Sequence, residues 1–451
     1  MDVTKSPVWK ELVEARKTGE KPVFYNHRCE ITIDDETLEI PKLLQVDTER
    51  DYVKRFTDQT IIKIMIIRRD YIRWLYPNRD NFVVTVFKEP KSENEDQTDV
   101  NRETKIKYYR GALIDSKSPL VEGTAEFDSS DDMEDGSTYV EVYIQLINLP
   151  IEMMRMMTVG GIYEGLRTDK FLQGMFTYIS GKLDVPEDVA IRGVDLVDGD
   201  NDRVRDHIIV PHGTKLMNLP DYIQKEQGGV YNHDLGIFLQ DDFWYIYPLY
   251  NKDRFDETPR NLTVFNIPPQ RMPGIERTYY VKDDRVSVIS TGKTKHIDDS
   301  EYLQNNVGNG VRFAAADYML EGYHEVDGNK ASMSRKRNMS EVMVKNRRTE
   351  KEMALMSEER ITANSFKELS LLSRRDGSFI QTNWENADPD LIYPGMPVRY
   401  VYIEDDSINE VFGVVLGADF YTHLKGQGIT ANRYRTNVTL TLFIETITGE
   451  G

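Results

Sequence analysis

Short apolar runs separated by turn signals dominate the first third of the chain. Thr60–Ile67 is a β-branched run, and the segments Phe82–Phe87 (FVVTVF) and Thr138–Leu149 (TYVEVYIQLINL) show the same strand-like composition. Residues 1–21 predict a short polar helix or arm. Several short strands with little helix between them predict an antiparallel β-barrel or sandwich, so we interpret residues 1–150 as an N-terminal barrel domain.

The pattern changes after Pro150. Ile151–Leu166 carries four methionines and predicts a helix that fills an irregular gap. Thr214–Gln227 predicts a second helix, which Gly228-Gly229 would end. Strand-like runs resume from Gly236 onwards. We therefore interpret residues 151–290 as a mixed α+β middle domain.

A polar stretch separates this region from the final strands. The run Lys345–Glu352 (KNRRTEKE) has no apolar stripe, so a helix there would be solvated or would contact an acidic partner. We interpret residues 291–370 as a polar helical or loop insertion. Strand-like segments then return, and residues 371–451 are interpreted as the C-terminal part of a second barrel. The fold class predicted is α+β and β-rich, with barrels flanking the middle domain.

Charge and cysteine content narrow the possible roles. The 451 residues carry a formal net charge of -19, which argues against wrapping of DNA and suits a surface past which DNA slides. Cys29 is the single cysteine, so no disulfide forms within the chain and folding in a reducing cytoplasm is expected. No apolar run is long enough to span a bilayer, and we expect no membrane binding.

Candidate chemical motifs fail on their spacing. His207, His212 and His233 are a conceivable metal set, but loop or interface histidines are the preferred interpretation. The GKT of Ser290–Thr294 lacks the first glycine of a phosphate loop. The acidic run Asp198–Asp202 lacks the glycine and the glutamate of a calcium loop. We predict no catalytic residue, no metal site and no cofactor, although paired carboxylates of a glycoside hydrolase stay open.

Two stretches resemble a known family. One runs from His212 to Ile267 and contains Gly228-Gly229-Val230-Tyr231 and then Gly236–Pro248 (GIFLQDDFWYIYP). It is similar to the middle domain of tail hub proteins. The other runs from Arg375 to Ile444. Along it follow, in this order, Tyr393–Val398 (YPGMPV), Glu404-Asp405-Asp406, Gly413-Val414-Val415, Tyr421-Thr422-His423 and Tyr434–Leu442 (YRTNVTLTL). This order resembles the closing barrel of the central baseplate hub of contractile-tailed bacteriophages, and together the stretches cover about half of the chain.

The resemblance implies a structural virion protein. Such hubs are homotrimers in which two tail-tube-like barrels per subunit form a pseudo-sixfold ring, adapting the sixfold tail tube to the threefold spike. The implied partners are the tail tube protein, the central spike protein and baseplate wedge proteins, with the tape measure protein as a further candidate and DNA only in transit. Assembly would take place in the host cytoplasm. The alternatives are a distal tail or tube-terminator protein and, more distantly, a cell-wall hydrolase.

Candidate subunit-interface residues come from the two similar stretches. They are Trp244, Tyr245, Tyr247, Tyr421, His423 and Arg435. For the first three, packing within the core of the middle domain is the preferred interpretation, and packing between subunits is the alternative.

Overall fold

The computed structural model describes residues 7–18, 24–91, 104–114, 139–267, 278–282, 284–297, 310–314, 331–336, 339–345, 369–370, 373–374, 376–404, 407–425 and 433–445. The chain divides into two compact units, Met1–Lys295 with Phe366–Gly451, and His296–Ser365. In the first unit β-strands predominate, and the second contains a small sheet.

The α-helices of the described residues are α1 (Pro7–Thr18), α2 (Leu149–Arg155), α3 (Thr168–Ser180) and α4 (Leu219–Glu226). Consecutive helical turns also cover Arg68–Asp70, Tyr71–Leu75 and Tyr76–Asn78. No helix in the described ranges is long and apolar enough to cross a membrane.

The strands before the middle region are β1 (Phe24–Ile33), β2 (Glu36–Glu39), β3 (Lys42–Glu49), β4 (Gln59–Ile67), β5 (Phe82–Lys91), β6 (Lys105–Leu113) and β7 (Tyr139–Asn148). In β4 buried and half-buried residues alternate, as expected of a strand with one face on the core. Their side chains form one apolar core around residues such as Ile62, Ile64 and Ile144. We call β1–β7 the first β region.

The middle strands are β8 (Thr158–Leu166), β9 (Gly193–Leu196), β10 (Arg205–Lys215), β11 (Leu235–Gln240) and β12 (Phe243–Pro248). Two differences from the sequence prediction occur here. The first predicted helix ends at Arg155 and gives way to β8, because Thr158, Val159 and Ile162 are β-branched. The second predicted helix begins only at Leu219, because Thr214 and Lys215 belong to β10.

The remaining strands of the first unit are β13 (Asn261–Asn266), β14 (Tyr279–Lys282), β15 (Arg285–Ile289), β16 (Thr294–His296, which ends one residue into the second unit), β20 (Ser378–Trp384), β21 (Pro397–Glu404), β22 (Ser407–Lys425) and β23 (Arg433–Ile444). We call β13–β15 with β20–β23 the second β region. Between β16 and β20 in the chain, β17 (Gly310–Ala314), β18 (Ala331–Lys336) and β19 (Met339–Lys345) form an antiparallel three-stranded sheet. This segment was interpreted from sequence as helix or loop.

One fifteen-stranded sheet joins the two β regions. Its main path runs β14-β15-β13-β21-β22-β3-β4-β7-β6-β5-β1-β2 and is open at both ends, so the described strands form no closed barrel. The strands β1–β7 pair antiparallel, as predicted for residues 1–150. Strand β13, from the segment interpreted as the mixed middle domain, pairs in parallel with both β15 and β21. The β-rich α+β class is confirmed, whereas the two separate barrels of the sequence prediction are one continuous sheet in the described part.

Candidate assembly site at the strand junction

The long strand β22 connects the two β regions. Its first half pairs with β21, and its last residues lie between β23 and β3. Phe420 to His423 pair with Thr48 to Gln45, so the junction is made by backbone hydrogen bonds and not by side chains alone. At nineteen residues β22 is far longer than a typical strand, which allows one strand to serve both regions.

The outward face of this junction is rich in polar and aromatic side chains. Because alternate residues of a strand point to opposite faces, Tyr421 and His423 share this face with their neighbours on the adjacent strands. His423 lies opposite Arg435 on one side and Gln45 on the other. Tyr421 lies opposite Asn437 and Asp47. We call these six residues the junction face.

Four buried atoms of the junction face have no hydrogen-bond partner among the described residues. They are Asp47 Oδ1, His423 Nδ1, Arg435 Nε and Asn437 Oδ1. An unsatisfied buried polar atom costs about 1–3 kcal/mol, so this concentration on one face needs a compensating role. Tyr421, by contrast, is 43% exposed.

Other contacts hold the junction face in place. Arg435 Nη2 donates to Glu385 Oε2 over 2.6 Å, and Gln45 Nε2 donates to Asp47 Oδ2 over 2.6 Å. Burial raises the pKa of Asp47, while the hydrogen bond from Gln45 acts in the opposite direction. The rings of Tyr421 and His423 lie 5.0 Å apart. These contacts fix the orientation of the side chains on the junction face.

The opposite face of the junction borders a cavity of about 80 Å³ with charged walls. Lys88 Nζ lies 3.1 Å from Asp388 Oδ1 and 2.8 Å from Asp390 Oδ2, and Lys105 Nζ lies 2.9 Å from the same Asp390 oxygen. Arg50, 1% exposed, donates from Nη1 to the Pro389 carbonyl over 2.9 Å. These bonds tie the first β region to the loop before β21.

Burial and charge shift the pKa values around this cavity. Burial alone would raise the pKa of Asp390, but the nearby charges of Lys88 and Lys105 hold it well below its ordinary value. Burial, reinforced by Lys88, lowers the pKa of His27 to about 3. The cavity therefore holds a compact network of ion pairs with a neutral histidine beside it. We call the ion pairs of Lys88 and Lys105 with Asp388 and Asp390 the clamp, because they link the first β region to the loop before β21.

The three candidates from the middle stretch lie away from the junction face. Trp244 is buried, its ring centroid lies 4.8 Å from that of Phe176, and its Nε1 donates to Ser180 Oγ over 3.2 Å. Tyr247 is also buried and donates to the Tyr52 carbonyl over 3.0 Å. Tyr245 is half-buried and stacks on Tyr393.

The structure thus brings together Tyr421, His423 and Arg435, and it buries Trp244 and Tyr247 in the core of the chain. Whether any of the six contacts another subunit stays a prediction.

Candidate metal and thiol chemistry gains no support. No group of three or more potential ligands among the described residues could hold a metal ion. His207 and His233 face separate carboxylates, Glu164 at 3.6 Å and Asp200 at 3.9 Å. Cys29 is buried, and burial raises the pKa of its thiol to about 12, which suits a core residue.

Comparison with known proteins finds likenesses of fold alone. No family model and no curated protein matches the chain. Among solved structures, a tail protein from Neisseria meningitidis is 10% identical with a TM-score of 0.43, covering 92% of this chain and 96% of that one. The 43 kDa tail protein of prophage MuSo2 from Shewanella oneidensis is 9% identical with a TM-score of 0.44, covering 92% and 98%.

A third solved structure is an Escherichia coli component of the type VI secretion system, described as structurally similar to the bacteriophage T4 tail proteins gp27 and gp5. It is 9% identical with a TM-score of 0.38, covering 91% of this chain and 76% of that one.

Sequence reasoning missed half of the junction face and all of the clamp. Gln45 and Asp47 join the face only through the β3–β22 register, which is a long-range property. A spacing of two within one strand is the local signal of a shared face, and it connects Tyr421 with His423 and Arg435 with Asn437. Nothing local connects Lys88 with Asp390, which lie 302 residues apart.

Proposed function

We propose that this chain is a non-enzymatic structural protein of a phage tail, the homotrimeric hub of the baseplate. The resemblance of residues 212–267 and 375–444 to tail hub proteins supports the assignment. Its role would be to adapt the sixfold tail tube to the threefold central spike. The tail tube, spike and baseplate wedge proteins would be its partners, with the tape measure protein as a further contact, and the virion baseplate its location.

The observation that carries the proposal is the rigid connection of two β regions within one subunit. Backbone pairing of β22 with β3 on one face and the Lys88–Asp390 clamp on the other fix their relative position. A trimer of such subunits would present six β regions, which is what contact with a sixfold tube and a threefold spike requires.

The junction face has the residue composition of an assembly surface. Exposed Tyr421 beside Arg435 has the composition of an interface centre, where tyrosine and arginine are enriched. The buried, unpartnered atoms of Asp47, His423 and Asn437 would be satisfied by trapped water or by side-chain rearrangement on assembly.

The charge of the chain fits passage of DNA. A net charge of -19 repels phosphates and disfavours binding, so DNA in transit through a lumen would not be retained.

The native mass in solution tests the proposal. Light scattering should give a mass near three times the 52.3 kDa of one chain, and negative-stain electron microscopy should show a ring with six peripheral densities. A hexamer would favour the tube-terminator or distal tail alternative. A monomer that degrades purified cell-wall material would contradict the structural assignment.

A further inference from the structure

A cleft of about 200 Å³ lies beside β12 and the segment that precedes β21. Its polar and aromatic lining includes Asp195, Tyr245, Arg254, Arg260 and Tyr393. We call it the arginine cleft. It is separate from the junction face and from the charged cavity, with which it shares no lining residue.

The walls of the arginine cleft are held by contacts within the chain. The rings of Tyr245 and Tyr393 stack with centroids 6.2 Å apart and an interplanar angle of 30°. Tyr393 Oη donates to the Arg260 carbonyl over 2.5 Å, and the Arg260 guanidinium carbon lies 5.9 Å from the Tyr393 ring centroid. Arg254 Nη1 donates to the Gly395 carbonyl over 3.4 Å. Both arginines are thus positioned without help from a carboxylate.

The described arginines differ in whether they have an acidic partner. Arg28, Arg399 and Arg435 all form ion pairs with glutamates. Among the described residues, no carboxylate lies within ion-pair distance of the Arg254 or Arg260 guanidinium, and Asp195 in the same cleft is exposed. Burial lowers the pKa of Arg254, and the smaller opposing effects of groups that include Glu257 and Asp195 do not offset it.

The size of the cleft limits what can enter it. A volume of about 200 Å³ is below the ~300–1,000 Å³ typical of sites for drug-sized ligands and cofactors. It suits one or two side chains. Arginine forks recognise carboxylates by paired hydrogen bonds, and the tyrosine rings and Pro259 add apolar walls for the backbone or methylene groups of a peptide.

We propose that the arginine cleft binds one or two carboxylate side chains from an acidic segment of a partner protein. A polypeptide is favoured over a nucleic acid because a chain with a net charge of -19 repels a polyanion along its whole length, whereas a short acidic segment meets the local pair of arginines. The inference does not depend on the hub assignment.

A randomised hexapeptide array probed with the full chain tests the proposal. We expect Asp and Glu to be enriched over Asn and Gln at one or two positions by about tenfold, which corresponds to the loss of one charge-assisted contact. The best acidic peptide, labelled with fluorescein, should then bind the chain in solution by fluorescence anisotropy, and its all-amide counterpart should bind at least tenfold more weakly.

Three variants locate the binding. R254Q and R260Q should each weaken the labelled peptide about tenfold, and R285Q, an exposed arginine on β15, should leave its affinity unchanged. Because Arg260 is exposed, R260Q keeps the test valid if R254Q fails to fold, as circular dichroism would reveal.

Two results would overturn the proposal. One is an array without acidic preference, or with a preference that R260Q leaves intact. The other is a single-stranded oligonucleotide that binds more tightly than the peptide and depends on Arg254 and Arg260, which would make the cleft a phosphate site.

Discussion

Strand β12 and the end of β22 both carry closely spaced aromatic residues, yet their environments are opposite. In β12, Trp244 and Tyr247 are 0% and 2% exposed, and the indole N–H and the phenol O–H are both hydrogen-bonded. At the end of β22, Tyr421 is 43% exposed and the neighbouring His423 has a buried nitrogen without a partner. The same residue types thus form a satisfied core in one region and an unsatisfied surface in the other.

What covers the strand explains the difference. Phe176 and Ser180 of helix α3 contact Trp244, and Tyr52, from the turn between β3 and β4, contacts Tyr247, so both side chains are enclosed. The junction face has no such cover among the described residues. An aromatic strand therefore becomes core or surface according to its neighbours in space.

Replacement of Trp244 by alanine should have the largest effect on the folded chain. It removes a fully buried indole packed on Phe176, which costs roughly 3–5 kcal/mol of unfolding free energy. Urea unfolding followed by circular dichroism measures the loss. Y421A is the matched control, since an exposed tyrosine should cost under about 0.5 kcal/mol in the single chain. Equal losses of unfolding free energy in the two variants would contradict the assignment of Trp244 to the core and Tyr421 to the surface.

The clamp should come next. K88M leaves Asp388 and Asp390 without their shared cation, and breaking a buried ion pair costs roughly 3 kcal/mol. The control is K170M, which removes a solvent-exposed pair with Asp198 and should cost about 0.5 kcal/mol or less. Differential scanning calorimetry gives both values. A loss as small as that of K170M would show that the clamp does not hold the two β regions together.

Acid should weaken the folded chain partly through His27. Its pKa is about 3 when folded and 6.5 in the reference state, so between these pH values the unfolded chain binds a proton that the folded chain does not. Stability therefore falls as the pH drops through this window, by roughly 2 kcal/mol between pH 7 and pH 5 for this group.

The variant H27Q isolates that contribution. It should lose roughly 2 kcal/mol less than the unmodified chain between pH 7 and pH 5, as read from urea midpoints at both pH values. Asp390 does not confuse the comparison, because its depressed pKa confines its own loss of stability to pH values below about 4. Parallel pH curves for H27Q and the unmodified chain would contradict the burial of an uncharged imidazole beside Lys88.

The smallest effect on the single chain, and the sharpest on assembly, should come from the junction face. The double variant Y421A/R435Q should leave unfolding of the isolated chain nearly unchanged while weakening formation of the proposed trimer by about 2 kcal/mol, roughly thirtyfold. Light scattering across a dilution series measures the shift. The control Y178A removes a 59% exposed tyrosine on α3 and should leave the dilution curve unchanged. Identical curves for both variants would remove the junction face from the assembly proposal.

Local sequence patterns predicted individual elements well where the alternation was strong. The β-branched run at residues 60–67 is β4, and the TYVEVYIQLINL segment is largely β7, because a period of two with branched side chains leaves little alternative. The prediction of one helix over the methionine-rich segment after residue 150 was only partly right. Met153 and Met154 are helical, but the glycines that follow belong to a strand.

The candidate site was predicted only in part for a related reason. Tyr421, His423 and Arg435 were selected from sequence and do lie together, because two adjacent strands carry them in register. Asp47 and Gln45 could not be included, since nothing in a window of ten residues indicates that β3 will pair with a strand almost 380 positions later.

The sequence by itself determined the β-rich class, the single unpaired thiol and the acidic surface, because strand periodicity and composition are local or additive properties. Only the tertiary structure decided that Trp244 is core while Tyr421 is surface, that one sheet joins the two β regions, and that Lys88 meets Asp390. Burial, register and ion pairing depend on which distant segments approach one another. The free energy that favours one set of long-range contacts is a sum over the whole fold, so no single segment of the sequence contains it.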